Sequence, residues 1–466
     1  GGDGAVLAAD GERVGDGGST AGAARWGVYH RGAGESQRVG RALRQRSRGG
    51  RSVEAGRGER RETTQRLGRC GLGDGRRIDA AEARRLNALP LEELGALADR
   101  RRQLLRRAAH QGRGNDIITY IVDRNVNYTN VCNVYCKFCA FWRTEKDADS
   151  YVITHAEMDR KIEETIALGG NQILMQGGHH PKLTKQWYLD LLNHIRTKFP
   201  GFNIHGFSPS EFIHFQEVFN EPVEQLLREF VAAGLGSVPG GGGEILVDRV
   251  RQRIAPLKAN TADWMGVMDT AHSLGLPSSV TMMFGHVETL DDRLEHLEVV
   301  RTQQDRSLAR LATRHPELAA LSADDPMERT QAYSLALETG ELSGGAFTAF
   351  IGWTFQPDNA VLKVPTAGAH AYLRSQALSR LYLDNVPSVQ SSWVTQGLEV
   401  GQVALKYGAN DLGSIMIEEN VVSAAGTTFR MTADDMQRLI RDLGYEPRQR
   451  NNAYQLMRPA PVSAVQ

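Results

Sequence analysis

The chain turns on Ile117-Ile-Thr-Tyr-Ile-Val122, an apolar β-type run, and the loop that follows it, Cys132-Asn-Val-Tyr-Cys136-Lys-Phe-Cys139. That loop carries three of the four cysteines in 466 residues. A C-x3-C-x2-C spacing can grip three irons of a [4Fe–4S] cube and leave the fourth without a protein ligand. A cluster with four thiolates mainly carries electrons, whereas an open iron can bind a small molecule. The loop therefore reads as a reaction centre placed after a strand.

Other readings of the cysteines fit less well. Four cysteines are too sparse for a disulfide framework. A zinc knuckle needs a fourth ligand and usually paired C-x2-C units, and Cys70 lies far off in a Gly/Arg-rich stretch. Buried structural cysteines are common, but three in one short loop are not.

The composition is that of an ordinary globular enzyme, 41% hydrophobic and 24% charged. Lys+Arg and Asp+Glu number 55 each, so charge gives no support to a nucleic-acid partner. No apolar run reaches the length of a membrane span, and no signal-peptide pattern is present. A cytoplasmic, reducing setting is the expectation. Residues 1–75 are dense in Gly, Arg, Ser and Ala without sustained apolar periodicity, and are expected to be a disordered tail. Because the chain opens on Gly, this stretch also reads as upstream sequence, with the working protein starting near Ile78. Residues 76–112 read as a helical N-terminal cap, on Leu86, Leu89, Leu91, Leu94, Leu97, Leu104 and Leu105.

Residues 113–450 alternate β-type runs with amphipathic helices. The runs are Ile117–Val122, Gln172–Met175, Asn203–Gly206, Ser237–Val238, Ser279–Phe284, Phe347–Trp353, Val389–Val394 and Ser414–Ile417. Thr154, Thr289 and Thr432, each followed three residues on by an acid, mark helix starts. Eight runs with intervening helices predict an α/β fold, a (β/α)8 TIM-type barrel. Residues 305–343 exceed a normal crossover and read as an insertion at the end opposite the chemistry. Residues 451–466 read as a C-terminal tail. Active sites of such barrels lie at the C-terminal strand ends, where the unusual residues gather: Gln176-Gly-Gly-His-His180, His205-Gly-Phe-Ser-Pro209, Pro239-Gly-Gly-Gly-Gly-Glu244, Gly285-His-Val-Glu288, Gln356-Pro-Asp-Asn359, Thr395-Gln-Gly397 and Glu418-Glu-Asn420.

The cysteine motif with Phe138, Phe141 and Trp142 resembles the signature of radical S-adenosylmethionine (SAM) enzymes. Further blocks narrow the match: Asn127 to Phe141, Ile173 to Pro181, His205 to Pro209, Thr281 to Thr289, Trp353 to Asn359, Ser392 to Gly397, and Met416 to Gly426. Together they resemble the dehypoxanthine futalosine cyclase family of the futalosine route to menaquinone, over roughly residues 76–450 apart from the insertion at 305–343. The resemblance implies a [4Fe–4S] cluster on Cys132, Cys136 and Cys139, with SAM on its open iron. It implies SAM contacts from Phe138, Gln176, Gly177, Gly178, Glu244 and Arg249, Arg253 being the alternative to Arg249. His179, His180, Glu418 and Glu419 are the candidate catalytic groups, with His205, His286, Gln356, Asn359 and Gln396 also placed to meet substrate. The implied reaction is cyclisation of dehypoxanthine futalosine by a 5′-deoxyadenosyl radical, fed by an external donor such as flavodoxin or ferredoxin. The alternatives are aminofutalosine synthase, a deazaflavin-precursor synthase, or an iron–sulfur electron carrier without turnover.

Overall fold

The computed structural model describes residues 76–457. Residues 1–75 and 458–466, with the expectations attached to them, lie outside the described part. The β-type runs become β1 Ile117–Ile121, β2 Asp123–Asn127, β3 Gln172–Gln176, β4 Asn203–Gly206, β5 Leu235–Ser237, β6 Ser278–Phe284, β7 Phe347–Thr354, β8 Ser388–Gln390, β9 Asp411–Ser414 and β10 Glu446–Gln449. The ladders are parallel and ordered β10-β1-β9-β8-β7-β6 and β2-β3-β4-β5. Two backbone seams join them. Val238 donates to the Pro277 carbonyl at 3.1 Å between β5 and β6, and Ile417 donates to the Asp123 carbonyl at 3.2 Å between the chain after β9 and β2. The result is a closed parallel barrel in which β1 and β2 form one continuous path. Burial on both faces explains why β1, β3, β6 and β7 carry apolar side chains at neighbouring positions rather than in strict alternation.

The expected boundaries shift in three places. The first strand runs on to Asn127 rather than stopping at Val122. The seventh strand is only Ser388–Gln390, and the end of the expected run passes into the helix Trp393–Gln396. The eighth strand lies at Asp411–Ser414, just before the run expected. β10, Glu-Pro-Arg-Gln, has no apolar alternation to announce it, yet it pairs with β1 from Ile117 to Tyr120.

The helix starts at Thr154, Thr289 and Thr432 form as expected, each threonine accepting a backbone N–H three residues on. The N-terminal stretch expected to be helical forms the helices Ala80–Asn87 and Leu91–Arg106. They pack against the helix Ala369–Tyr382, where Arg374 donates to the Leu89 carbonyl at 2.9 Å, and Arg106 reaches Ser334 at 2.9 Å. The stretch 305–343 holds the end of a long helix, Leu290–Arg314, and a second helix, Pro326–Thr339, around a small core of Leu308, Leu321, Tyr333 and Leu337. Tyr333 donates to the Ala346 carbonyl at the entry to β7, which places this unit at the N-terminal end of the barrel. The described part of the expected tail is ordered. Residues 451–457 fold back on β10, with Met457 donating to Gln449, and bury Tyr454 at 4% exposure. No helix among the described residues is long and apolar enough to cross a membrane.

Candidate active site

The cysteine loop leaves β2 through Tyr128 and is pinned by backbone on all sides. Cys132 donates to Arg143 at 3.0 Å, Asn133 to His179 at 3.2 Å, Lys137 to Ile254 at 2.9 Å, and Cys139 to Cys136 at 3.2 Å. Tyr135 takes a left-handed φ of 51°, which turns the chain tightly before Cys136. Burial pushes the Cys136 thiol up to about 12 and also raises Cys139, and each thiol feels its neighbours. Thiolates so buried need a cationic centre to hold them ionised. Among the described residues no trio of His, Cys, Asp or Glu is drawn in tightly enough for one metal ion. Ligands to three different irons stand further apart than ligands to one.

Gly177 and Gly178 follow β3 against this loop. A Cβ on Gly178 would lie 2.2 Å from the Val131 carbonyl oxygen and 2.9 Å from the Cys132 Cβ; one on Gly177 would strike the Tyr128 ring at 2.5 Å. Only glycine permits that approach. Behind them sits Glu211, 2% exposed. It accepts from the Tyr128 hydroxyl at 2.7 Å, the Gly177 N–H at 3.1 Å, and the Ser208 N–H and hydroxyl at 2.7 Å each. One carboxylate thus ties together the ends of three successive strands.

After β5, Glu244 takes a φ of 38°. Its Oε1 accepts from Lys258 at 3.0 Å, while its Oε2 is buried with no hydrogen-bond partner. Burial disfavours charge on Lys258, but Glu244 and Cys136 outweigh it and hold the ammonium above its ordinary range. The same ammonium lies 5.4 Å from the centre of the Phe138 ring. Arg249, expected to meet SAM, is instead half exposed and paired with Asp292. The helix Asp248–Ile254 points it away from the loop and points Arg251 inward, where Arg251 binds the carbonyls of Gly243 and Ala259.

Below these groups the barrel encloses a chamber of about 290 Å³. Its upper wall carries Gln176, Gly240 to Gly242 and Glu244, and its floor Arg450 and Tyr454. Arg450 is clamped on Asp411 at 2.6 and 2.9 Å and lies 4.0 Å from the centre of the Tyr454 ring. A hydrogen-bonded tier runs round the wall. Asp123 accepts from Ser414 and, at 2.7 Å, from Gln172; Asn203 bonds Gln172 at 2.9 Å and Ser237 at 3.3 Å; Ser237 meets His205 Nδ1 at 2.7 Å. Burial raises Asp123 and lowers His205 to about 3, so His205 is neutral near pH 7.

The four candidate catalytic groups separate. Glu419 lines the chamber and accepts the backbone N–H groups of Val421, Val422 and Ser423, with burial raising its carboxyl. Glu418 points the opposite way, as alternate residues of extended chain must, and pairs with Lys161 at 2.6 Å in an outer cleft. His180 Nδ1 accepts from the Lys182 and Leu183 N–H groups and so closes a turn. His179 lies with its ring centre 5.0 Å from that of His214, in a second cleft that Lys258 also lines, with burial holding it neutral. These three lie off the chamber. His286 and Gln356 make local backbone contacts, to Met283 and Thr354, and Gln396 also bonds Thr354. Asn359 donates to the Ala424 carbonyl at 2.9 Å, tying down the loop that holds Glu419.

A protein of Halalkalibacterium halodurans described as a cyclic dehypoxanthine futalosine synthase is 42% identical over 343 residues, 73% of this chain and 83% of its own. The chain belongs to the cyclic dehypoxanthine futalosine synthase family. The Streptomyces coelicolor protein of that description is 41% identical over 368 residues, 78% of this chain and 82% of its own. The aminodeoxyfutalosine synthase of Thermus thermophilus is 33% identical over 349 residues, 73% of this chain and 84% of its own. Residues 126–300 match the radical SAM superfamily, and 344–463 match the CofH/MqnC C-terminal region. Among solved structures, methylornithine synthase aligns with a TM-score of 0.58 at 14% identity, covering 82% of this chain and 98% of its own. The hydrogenase maturase HydG of Carboxydothermus hydrogenoformans aligns at 0.56 and 13% identity, covering 91% and 87%. Both likenesses show the fold.

Membership of the cyclic dehypoxanthine futalosine synthase family makes the residues missed in the sequence informative. Asp123 stands just past the end of the first apolar run, where nothing in the sequence showed that the strand continues. Glu211 had a visible signal, the Ser208-Pro-Ser-Glu211 capping box, but no sign that it also reached Gly177. Lys258 lies beyond the helix that holds Arg249, and nothing local marks it as half-buried beside Glu244.

Proposed function

We propose that the protein is a cytoplasmic radical SAM cyclase that converts dehypoxanthine futalosine to cyclic dehypoxanthinyl futalosine on the way to menaquinone. The reading rests on the coupling of a three-thiol loop to a chamber inside the barrel through Glu244 and Lys258, in a chain 42% identical to a protein of that description. When bound, the cluster and SAM supply a 5′-deoxyadenosyl radical that can take hydrogen from C4′ of the sugar.

The chain's own residues do the rest. Cys132, Cys136 and Cys139 hold the cluster. Gly177 and Gly178 offer bare backbone beside it, Phe138 an aromatic face and Gln176 an amide on the chamber wall. Glu244 Oε2, which has no hydrogen bond and lies 3.9 Å from Arg251, suits an ammonium or ribose hydroxyl of SAM, and Lys258 balances a carboxylate. Asn125, Thr281 and Ser391 line the chamber and can bind the sugar hydroxyls. His205, with its Nδ1 fixed by Ser237 and its ring held neutral by burial, can hydrogen-bond substrate from Nε2 at the chamber wall. Glu419 holds the loop above. The closed barrel keeps water from quenching carbon radicals.

The test is anaerobic reconstitution followed by SAM, dithionite and dehypoxanthine futalosine. 5′-Deoxyadenosine together with the cyclised product is expected, and Cys136→Ala abolishes both. Deoxyadenosine without cyclisation would reject the substrate. An intact cluster yielding neither product would reject the enzyme reading.

A further inference from the structure

Three of the chain's four cysteines are in the one loop, so the electron that starts each turnover must come from another molecule. The cluster site is shallow on one side. Cys136 is 7% exposed, yet Lys137 beside it is exposed. Two backbone hydrogen bonds gather neighbouring segments round Lys137: it donates to the Ile254 carbonyl at 2.9 Å, and Leu362 donates to its carbonyl at 2.7 Å. Each segment carries an apolar side chain out into solvent. Leu257 and Val361 are both 65% exposed, more than any other large apolar side chain described. Tyr135, on the cysteine loop itself, is 46% exposed.

The same rim is basic. Lys137, Arg253 and Lys363 are exposed, and among the described residues none of them pairs with a carboxylate. Lys363 reaches only the Pro357 carbonyl, at 3.4 Å. Apolar side chains standing in water over a buried redox site, ringed by unmatched cations, have the make-up of a small transient interface. Its partner must carry complementary negative charge and a one-electron centre near its own surface.

We propose that the face formed by Tyr135, Lys137, Arg253, Leu257, Val361 and Lys363 docks an acidic one-electron carrier protein, a flavodoxin or a ferredoxin, and passes its electron in through the Cys136–Cys139 edge. This rests on the radical SAM reading but not on the identity of the substrate. The experiment therefore reads reduction of the reconstituted cluster by its visible absorbance, without substrate. One arm uses photoreduced flavodoxin and the other dithionite. Leu257→Asp and Lys363→Glu are made singly and together. With flavodoxin, each single change is expected to slow reduction about tenfold and the pair more. In the unchanged protein the rate falls as salt is raised, as for steered encounters between opposite charges. With dithionite the variants match the unchanged protein, which also shows that they fold and hold their cluster. Equal slowing in both arms would overturn the proposal, because the face would then serve the cluster's integrity. Unchanged rates with flavodoxin would also overturn it, because docking would lie elsewhere.

Discussion

Glu211 is the residue whose replacement tests the site's architecture most directly. It is buried, and its two oxygens face four donors from three segments. In Glu211→Gln the amide NH2 must take one oxygen's place. On one side it meets the Gly177 N–H, on the other the Ser208 N–H, and neither backbone group can turn away. A buried donor left without its acceptor costs about 1–3 kcal/mol, so the glutamine variant should lose about 2 kcal/mol. Glu211→Ala strips the acceptor from the Tyr128 hydroxyl and both N–H groups, a cost of about 3–6 kcal/mol once an entering water restores part of the bonding. The stability assay is urea unfolding of the apoprotein. Because Gly177 is freed, SAM affinity of the reconstituted protein should also weaken, by about tenfold or more. A glutamine variant as stable as the parent would mean that the carboxyl is already protonated in the folded chain, and the account of a charged tie would fail. Lost stability with unchanged SAM affinity would confine Glu211 to capping its own helix.

Gly178→Ala should overfill the contact with Val131 and Cys132, at about 1–3 kcal/mol, and lower the iron bound per chain after reconstitution; full iron content would refute the contact. Arg249→Ala should leave SAM binding within about twofold, whereas Lys258→Met should weaken it at least tenfold, and a reversal of that order would reject the placement of the two cations. Burial lowers His205, His272 and His296 to about 3. The unfolded chain therefore binds protons between pH 6.5 and 3 that the folded chain does not, and stability is lost as pH falls through that window, by up to about 1.4 kcal/mol per pH unit per histidine. The raised carboxyls of Asp123, Glu211 and Glu419 act the other way. His296→Gln should flatten the pH dependence of the urea midpoint, and an unchanged slope would remove His296 from the explanation.

Much of the barrel was legible because its strands are buried on both faces and its helices start on threonine caps. The cysteine loop was legible because ligand spacing is local. What failed was non-local or a matter of side. Glu418 and Glu419 look equivalent in sequence, but extended chain sends one to the chamber and the other to Lys161. Arg249 and Arg251 differ by two places on a helix, enough to exchange surface for interior. His180 resembles a catalytic base until its nitrogen is seen closing a turn. β10 escaped notice because its pairing with β1, not its composition, makes it a strand.

The fold-back of residues 451–457 bears on how the protein cycles. With Arg450 and Tyr454 set in the floor, the described residues stop the chamber from below, and a ligand entering from the opposite end passes the cysteine loop first. Whatever reacts deepest has to go in first and come out last. That predicts compulsory order in the steady state, with substrate ahead of SAM, and release of the spent nucleoside as the step that lets the product go.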